Sequence, residues 1–325
     1  MSAPSAVVRR WSPSTDVAAI GYRLLVIVAL GAALALSSDA FLTQSNLLNV
    51  LRQASLTFLI ASGLTIVILT AGLDLSVGAN VGFSACIAGT VMQATGSITL
   101  GVATALACGA VVGVGNGLMV TLLRIPPFIA TYGMLWVLLG TTYWFMGGQT
   151  IHGFPPSFRA LGSGYFLGVP IPIYLMAVFL IAGTAFTHHT VAGHQVYAIG
   201  ANPEVARLSG IPVRARLILV YVLSGAMAGL AALVYLARLN SVEADIGESL
   251  TLPAITAALV GGTSLFGGVG SLWGTLTGAV ILTMVLNGMN LLLIDATWQP
   301  LVTGVILLAA VWIDIVTRQR TEARA

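Results

Sequence analysis

The chain has 325 residues, of which 58% are apolar and 7% charged, and its mean hydropathy is +0.99. Soluble proteins average roughly a quarter charged residues, so this composition excludes a soluble domain and predicts one all-α polytopic membrane domain over residues 1–325. The net charge of +3 comes from 13 arginines and no lysine. We attribute the positive excess to membrane topology and expect lipid contacts but no nucleic-acid binding.

Long apolar runs predict about ten membrane-spanning helices, some of them discontinuous. A hydrocarbon core of about 30 Å requires roughly 20 apolar residues per helix. The third and eighth runs are the least certain, because they are short, broken by glycine or poorly separated from their neighbours. The predicted spans are 20–38, 48–71, 76–94, 98–122, 128–146, 168–187, 217–237, 250–266, 270–292 and 298–316.

The arginines predict which loops are cytoplasmic. With the N-terminus inside, ten spans place ten of the thirteen arginines on the cytoplasmic side and leave Arg52, Arg159 and Arg238 outside. Cytoplasmic segments carry the excess of basic residues, so we expect the tails 1–19 and 317–325 and the loop 188–216 to be cytoplasmic. The segments 147–172 and 239–250 are then outer loops. The first is rich in glycine and proline and predicts turns or a short surface helix.

Small residues recur four positions apart in three of the predicted spans. In lipid this spacing allows two helix backbones to approach closely, so it predicts helix packing, with pore lining as the alternative. The residues are Gly109, Gly113 and Gly117, then Gly225 and Gly229, then Gly270, Gly274 and Gly278.

A carboxylate and two glycines interrupt the apolar sequence between the second and third spans. Gly72, Asp74, Ser76 and Gly78 predict a break in the helix, because an isolated charge in the bilayer costs roughly 2.5–3.5 kcal/mol and normally has a role. Asp74 either caps the broken helix ends or contacts a translocated species. Further candidates for lining a pathway are Asn116, Phe128, Asn287 and Asn290.

The sequence indicates no catalytic or metal site. We expect Asp74 to be the only acid within a span, which excludes a pair of carboxylates sharing a proton and argues against a proton relay. His188, His189 and His194 lack the spacing of a zinc site. Without lysine the chain cannot form the phosphate-binding P-loop of an ATPase. We therefore expect a protein that is not an enzyme and holds no cofactor of its own.

The loop 188–216 is the longest polar interruption in the chain. Asn202 before Pro203, followed by Ser209 and Gly210, predicts a capped short helix that stops at glycine. Such a helix, exposed between two spans, is suited to contact a partner outside the membrane.

Five short stretches, spread over about 250 residues of the chain, resemble the ribose-type membrane subunits of bacterial ABC importers, a family of carbohydrate permeases. They lie at 68–79, 125–135, 198–211, 260–271 and 298–308. The resemblance implies a multi-pass permease in the bacterial inner membrane that carries a sugar or sugar-like solute. It also implies a second permease subunit, identical or paralogous, a cytoplasmic ATPase that binds ATP and magnesium, and a periplasmic sugar-binding protein.

The resemblance further implies that the short helix in the loop 188–216 couples the permease to the ATPase. The residues carried over are Gly200, Asn202, Pro203, Glu204, Ala206, Arg207, Ser209, Gly210 and Ile211. Pro203 departs from many members of the family. Three alternatives stay open: a permease for branched-chain amino acids, one for nucleosides, and a secondary carrier or channel that needs no ATPase.

Overall fold

The computed structural model describes residues 13–322, so the outermost parts of both predicted tails lie outside the described residues. Helices account for most of this range. They are α1 (Pro13–Ser37), α2 (Gln44–Ile68), α3 (Val77–Thr95), α4 (Ile98–Thr121), α5 (Pro127–Met146), α6 (Pro156–Ser163), α7 (Ile171–His189), α8 (Val191–Ala201), α9 (Pro203–Leu208), α10 (Val213–Leu239), α11 (Thr251–Val260), α12 (Leu272–Leu291) and α13 (Gln299–Glu322). A short 3-10 helix at Ala296–Trp298 precedes α13.

The polytopic prediction is confirmed. Eight described helical segments are long and apolar enough to cross a membrane, and they correspond to α2, α3, α4, α5, α7, α10, α12 and α13 with its preceding 3-10 helix. The third predicted span, which was uncertain, is one of them. The first predicted span lies within α1, whose apolar part is Gly21–Ser37.

The eighth predicted span was wrong as a continuous helix. Only α11 forms within 250–266, and its ten residues extend about 15 Å, half of the hydrocarbon thickness. The helix ends because Gly261 packs against the Gly274 carbonyl and Gly262 adopts a φ of +80°. A loop, residues 261–271, follows and leads into α12.

The helices at both ends reach into the predicted tails, whose cytoplasmic placement stays a prediction. α1 begins at Pro13, inside the predicted tail 1–19, and α13 continues to Glu322, inside the predicted tail 317–325. Apolar runs mark where a helix can lie in lipid, but a helix continues beyond them wherever backbone hydrogen bonding is undisturbed.

The two predicted outer loops contact each other. The segment 147–172 contains the expected short helix, α6, and also three two-residue strands, β1 (Ile151–His152), β2 (Tyr165–Phe166) and β3 (Val169–Pro170). β2 pairs with β3, and β1 pairs antiparallel with β4 (Ser241–Val242) from the second outer loop.

α10 is the central helix of the bundle and packs against α2, α3, α4 and α6. Its 27 residues span about 40 Å. It begins beside α9 and ends beside β4, so we call the two faces of the molecule the α9 end and the β4 end.

Glycines hold α4 close to α10, as the spacing predicted. A Cβ atom on Gly109 would overlap the Gly225 carbonyl, and one on Gly113 would overlap the Tyr221 carbonyl. Gly274 and Gly278 bring α12 against α11 in the same way. Gly270 was wrongly placed in a helix: it lies in the loop 261–271 with a φ of +150°.

Candidate functional site

The chain breaks between α2 and α3, as predicted. α2 ends in tight turns in which Ala71 donates to the Ile68 carbonyl and Gly72 to the Val67 carbonyl. Ala71 adopts a φ of +59°, which ends the right-handed helix. Gly72 lies close to the Tyr221 hydroxyl: a Cβ there would be 3.1 Å from it, so a side chain would require its neighbours to shift slightly.

Asp74 is buried at this break and is surrounded by hydrogen-bond donors. Its Oδ1 atom accepts from the Ser76 backbone N–H at 3.1 Å and from the Ser76 hydroxyl at 2.7 Å. Its Oδ2 atom accepts from the Ser224 hydroxyl of α10 at 3.0 Å. Asn116 of α4 donates to Ser76 Oγ at 2.8 Å and more weakly to Asp74 Oδ1 at 3.4 Å. These bonds favour the capping role of Asp74 over contact with a solute.

The backbone freed by the break is satisfied by hydroxyl side chains. The Thr131 hydroxyl of α5 accepts from the Leu75 N–H, and its single proton lies within reach of the Pro127 carbonyl at 2.8 Å and the Leu73 carbonyl at 3.2 Å. The Gly78 N–H donates to the Thr251 hydroxyl at 3.2 Å. Buried amide groups without partners cost free energy, so α4, α5, α10 and α11 together stabilise the broken segment.

The other predicted pathway residues do not meet at the break. Asn287 exchanges two side-chain hydrogen bonds with Asn46, at 3.1 and 2.9 Å, and so joins α12 to α2. Asn290 is exposed and accepts from Gln299. Phe128 is 57% exposed and stacks on Tyr132. Only Asn116 lies beside Asp74, and its buried Oδ1 atom has no partner in the structure.

Sequence reasoning missed a second carboxylate. Asp314 lies within the predicted tenth span, so the expectation that Asp74 is the only acid in a span was wrong. Its Oδ2 atom accepts from the Ser264 hydroxyl at 2.9 Å, which fastens α13 to the loop 261–271. An isolated acid in an apolar run was the signal available, and it is the same signal that identified Asp74.

The predicted capped helix in the polar loop is confirmed as α9. The Asn202 side chain accepts from the backbone N–H groups of Glu204 and Val205 at 3.0 Å, and Pro203 occupies the first turn. At the other end Ile211 donates to the Ala206 carbonyl while Gly210 adopts a φ of +82°. This is the glycine-terminated geometry expected from the sequence.

α8 was not predicted. Within the predicted loop 188–216, α7 continues to His189 and a separate helix begins at Val191. The Thr190 hydroxyl caps it by accepting from the Gly193 N–H at 3.0 Å.

α9 presents a mixed charged and apolar face to solvent. Glu204 and Arg207 form an ion pair on the exposed side, and the Arg207 hydrogen bond holds the pKa of the Glu204 carboxyl below its usual range. Val205 and Leu208, which sequence reasoning did not select, are 54% and 74% exposed. Ala206 is buried, so it anchors the helix from the inside.

Gly200 joins this loop to the helix break through main-chain contacts. A Cβ on Gly200 would overlap the Leu69 carbonyl and lie close to the Gly268 nitrogen. Gly268 in turn donates its N–H to the Leu69 carbonyl at 2.9 Å, and the Tyr197 hydroxyl donates to the Gly270 carbonyl at 2.9 Å. We call the meeting of Leu69, Gly200 and Gly268 the main-chain junction. It brings together three of the five stretches singled out in the sequence.

The region that contains the Asp74 break and α9 matches a protein-family model described as "Branched-chain amino acid transport system / permease component" over residues 46–311. No solved structure matches the chain.

Curated relatives match over nearly the whole length. The chain is 40% identical to the ribose import permease protein of Escherichia coli strain K12 over 295 residues, covering 90% of this chain and 91% of that protein. It is 39% identical to the ribose import permease protein of Bacillus subtilis strain 168, covering 91% of each chain. It is 33% identical to the galactose/methyl galactoside import permease protein of Escherichia coli strain K12, covering 89% and 92%.

Proposed function

The chain belongs to the family of branched-chain amino acid transport system permease components, and from that premise we propose that it is the membrane subunit of an ATP-driven sugar importer. The observation that carries the proposal is the 40% identity to a ribose import permease protein across 90% of the chain. A second relative is named for galactose and methyl galactoside. The solute class is therefore a monosaccharide or a molecule of similar size and polarity.

The proposal includes partners that supply energy and solute. A chain without lysine has no P-loop, so a separate cytoplasmic ATPase binds ATP and magnesium. A periplasmic binding protein delivers the sugar at the β4 end. A second copy of this chain, or a paralogue, completes the pathway through the bacterial inner membrane.

Coupling proceeds through α9 and the main-chain junction. The ATPase contacts the exposed side chains of Glu204, Val205, Arg207 and Leu208. When ATP closes the ATPase pair, α9 moves with the surface to which it is docked. Gly200 packs against the Leu69 carbonyl without an intervening side chain, so the displacement reaches the end of α2 and the Asp74 break. The spans then tilt and expose the solute to the other side of the membrane.

Reconstitution into proteoliposomes tests this function. The permease is combined with the ATPase and the binding protein encoded beside it, and uptake of radiolabelled D-ribose, D-galactose and L-leucine is measured with and without ATP. We expect uptake of at least one sugar that requires ATP and both partners. Uptake of leucine alone would assign the chain to the amino-acid branch of the family. Sugar uptake by the chain without its ATPase would identify it as a secondary carrier or channel.

A further inference from the structure

A cavity of about 260 Å³ opens inside the bundle toward the β4 end. It lies between α2, α10, α11 and α12, in the outer part of the membrane domain. Ligand pockets for drug-sized molecules measure roughly 300–1,000 Å³, so this volume suits a smaller molecule. Its lining combines polar groups with the ring of Tyr235; the polar residues are Gln53, Thr57, Arg238, Ser249, Thr283 and Gln299.

Several of these polar side chains have no protein partner. Among residues 13–322, Gln53, Thr57, Arg238 and Thr283 form no side-chain hydrogen bond with another residue, whereas Gln299 donates to Asn290. Arg238 is partly buried, and the only ion pair in the described part of the chain is that of Arg207 with Glu204. Buried polar groups are normally hydrogen-bonded, and a guanidinium offers five donors. The cavity thus presents several polar side chains that are not committed to hydrogen bonds within the protein and can bond to a ligand.

The lining offers a neutral polyol both hydrogen-bond donors and hydrogen-bond acceptors. Arg52, near Arg238, donates to the Tyr165 hydroxyl and lies over that ring, so its guanidinium is already engaged at one nitrogen, although its Nε atom has no partner. The remaining groups are amides and hydroxyls that both donate and accept. An anion accepts only, whereas each sugar hydroxyl can accept from Arg238 and donate to Gln53 or Thr57. The Tyr235 ring provides an apolar wall for the C–H face of a sugar.

We propose that this cavity is a binding site that one neutral monosaccharide occupies during transport, held by Arg238, Gln53 and Thr57. The inference rests on the proposed sugar transport and adds to it the residues that receive the solute after the binding protein releases it. Its position toward the β4 end, with Ser249 and Leu250 of the second outer loop in its lining, suits that step.

Thiol protection in the complete complex tests occupancy directly. Gln53→Cys is introduced in a Cys86→Ala, Cys108→Ala background, and its reaction with a membrane-impermeant thiol reagent is followed. The probes are D-ribose and D-galactose, each loaded on the binding protein, with vanadate holding the ATPase in one state. We expect the transported sugar to slow labelling about tenfold, as one well-placed ligand excludes the reagent. Equal labelling with and without sugar would overturn the proposal.

Transport by side-chain variants provides the second test. Arg238→Ala should lower sugar moved per ATP hydrolysed about tenfold or more, since hydrogen bonds to a charged group are the stronger class. Arg238→Gln, which keeps donors, should retain more transport, and the nearly isosteric Thr57→Val should lower it about fivefold. Arg159→Ala removes an exposed outer arginine and is the matched control. Binding-protein docking should be unchanged in all four.

The outcomes separate the two proposals. If the wild-type complex transports neither sugar, the proposed function fails and this inference fails with it. If the wild type transports sugar while Thr57→Val and Arg238→Gln both behave as Arg159→Ala does, the proposed function stands and the proposed sugar-binding role of the cavity is refuted. Thr57→Val keeps the test decisive even where Arg238→Ala does not assemble.

Discussion

The Asp74 carboxylate shows how a charge is accommodated where lipid surrounds the protein. Ser76 donates to it from within the break and Ser224 from α10, so both oxygens are hydrogen-bonded. A buried polar group is tolerated when it is hydrogen-bonded, and at Asp74 all of the hydrogen-bond partners are uncharged. The carboxylate therefore fixes the relative position of the break and α10.

Substitution of Asp74 should affect transport and stability to different extents. Asp74→Asn keeps one oxygen for Ser76, and the Ser224 hydroxyl can rotate to accept from the new amide, so we expect the protein to be made and to assemble. Transport should fall because the shape of the break changes. Uptake in proteoliposomes is compared with membrane expression, and Asp245→Asn in the exposed outer loop is the control. Unchanged uptake would refute a required role for the carboxylate.

Complete removal of the carboxylate should destabilise the protein more than its replacement by an amide. Asp74→Ala leaves the Ser76 N–H and the Ser224 hydroxyl without their acceptor in a buried site. Each unsatisfied group costs about 1–3 kcal/mol, so the melting temperature of the protein in nanodiscs should fall well below that of Asp74→Asn. Similar melting temperatures for the two variants would show that hydrogen bonding at this site contributes little.

At the scale of elements, close helix contacts depend on missing side chains. α4 and α10 approach until the Gly109 and Gly225 backbones are in contact. A methyl group added to either glycine would overlap the carbonyl oxygen of the other. Van der Waals packing is a main source of helix association in lipid. The small residues on these two helices therefore determine how closely they pack.

Gly109→Ala should destabilise the bundle while Gly115→Ala should not. Overpacking costs about 1–3 kcal/mol, whereas at Gly115 a Cβ would meet only the end of Met134 at 3.4 Å. Alanine favours helix over glycine by roughly 0.5–1 kcal/mol, so Gly115→Ala should be neutral or slightly stabilising. Thermal unfolding in nanodiscs measures both, and equal loss in the two variants would contradict the packing argument.

Helices could be predicted from the sequence where a run of apolar residues is long enough to span the membrane. They could not be predicted where tertiary packing ends a helix within such a run. The runs that became α2, α4 and α10 are apolar over more than 20 residues. α11 belongs to an equally apolar run, but the contact of Gly261 with the Gly274 carbonyl, which depends on tertiary structure, ends it. α8 was missed because it lies within the segment 188–216, for which the sequence predicted a polar loop with only one short helix.

The site could be predicted only in part for a related reason. Asp74 and the Asn202 cap were identifiable because their signals are local: a charge in an apolar run, and a cap before proline. Ser224 and Thr131, which complete the break, come from segments more than 50 residues away. Nothing in the linear sequence marks these common hydroxyls as partners of Asp74.

At the scale of the whole molecule, α10 joins two specialised ends. The α9 end carries an exposed helix with charged and apolar side chains, and the β4 end carries the paired outer loops and the nearby cavity. The Asp74 break bonds to Ser224 near the middle of α10. A movement applied at α9 can therefore reach the middle of the membrane domain through rigid helices and the main-chain junction.

The coupling role of α9 predicts a defect in energy transfer without a defect in folding. Glu204→Ala with Arg207→Ala removes an exposed ion pair, which typically contributes little to stability. If the ATPase docks here, binding-protein-stimulated ATP hydrolysis and uptake should both fall about fivefold or more. Arg159→Ala with Glu243→Ala removes an exposed pair of opposite charges in the outer loops and is the matched control. A double variant that assembles and keeps full activity would exclude these residues as contacts.

The main-chain junction should transmit movement only while Gly200 stays small. Gly200→Ala forces a methyl group against the Leu69 carbonyl, while Gly140→Ala in α5 meets nothing within 4 Å. We expect Gly200→Ala to lower uptake per ATP hydrolysed and Gly140→Ala to leave it unchanged. Transport by Gly200→Ala equal to that of the control would show that the contact is not required.

The junction also bears on how such subunits can be recombined. The Gly268 N–H donates to the Leu69 carbonyl, and Gly200 packs against both without a side chain. The end of α2 therefore contacts only peptide backbone at this junction, and that contact does not depend on which side chains α8 and α9 present to solvent. A chimera that receives residues 191–211 from a relative, with its glycine kept at position 200, should accept the relative's ATPase and still carry its own solute. Different parts of one chain would then determine which ATPase it binds and which solute it carries.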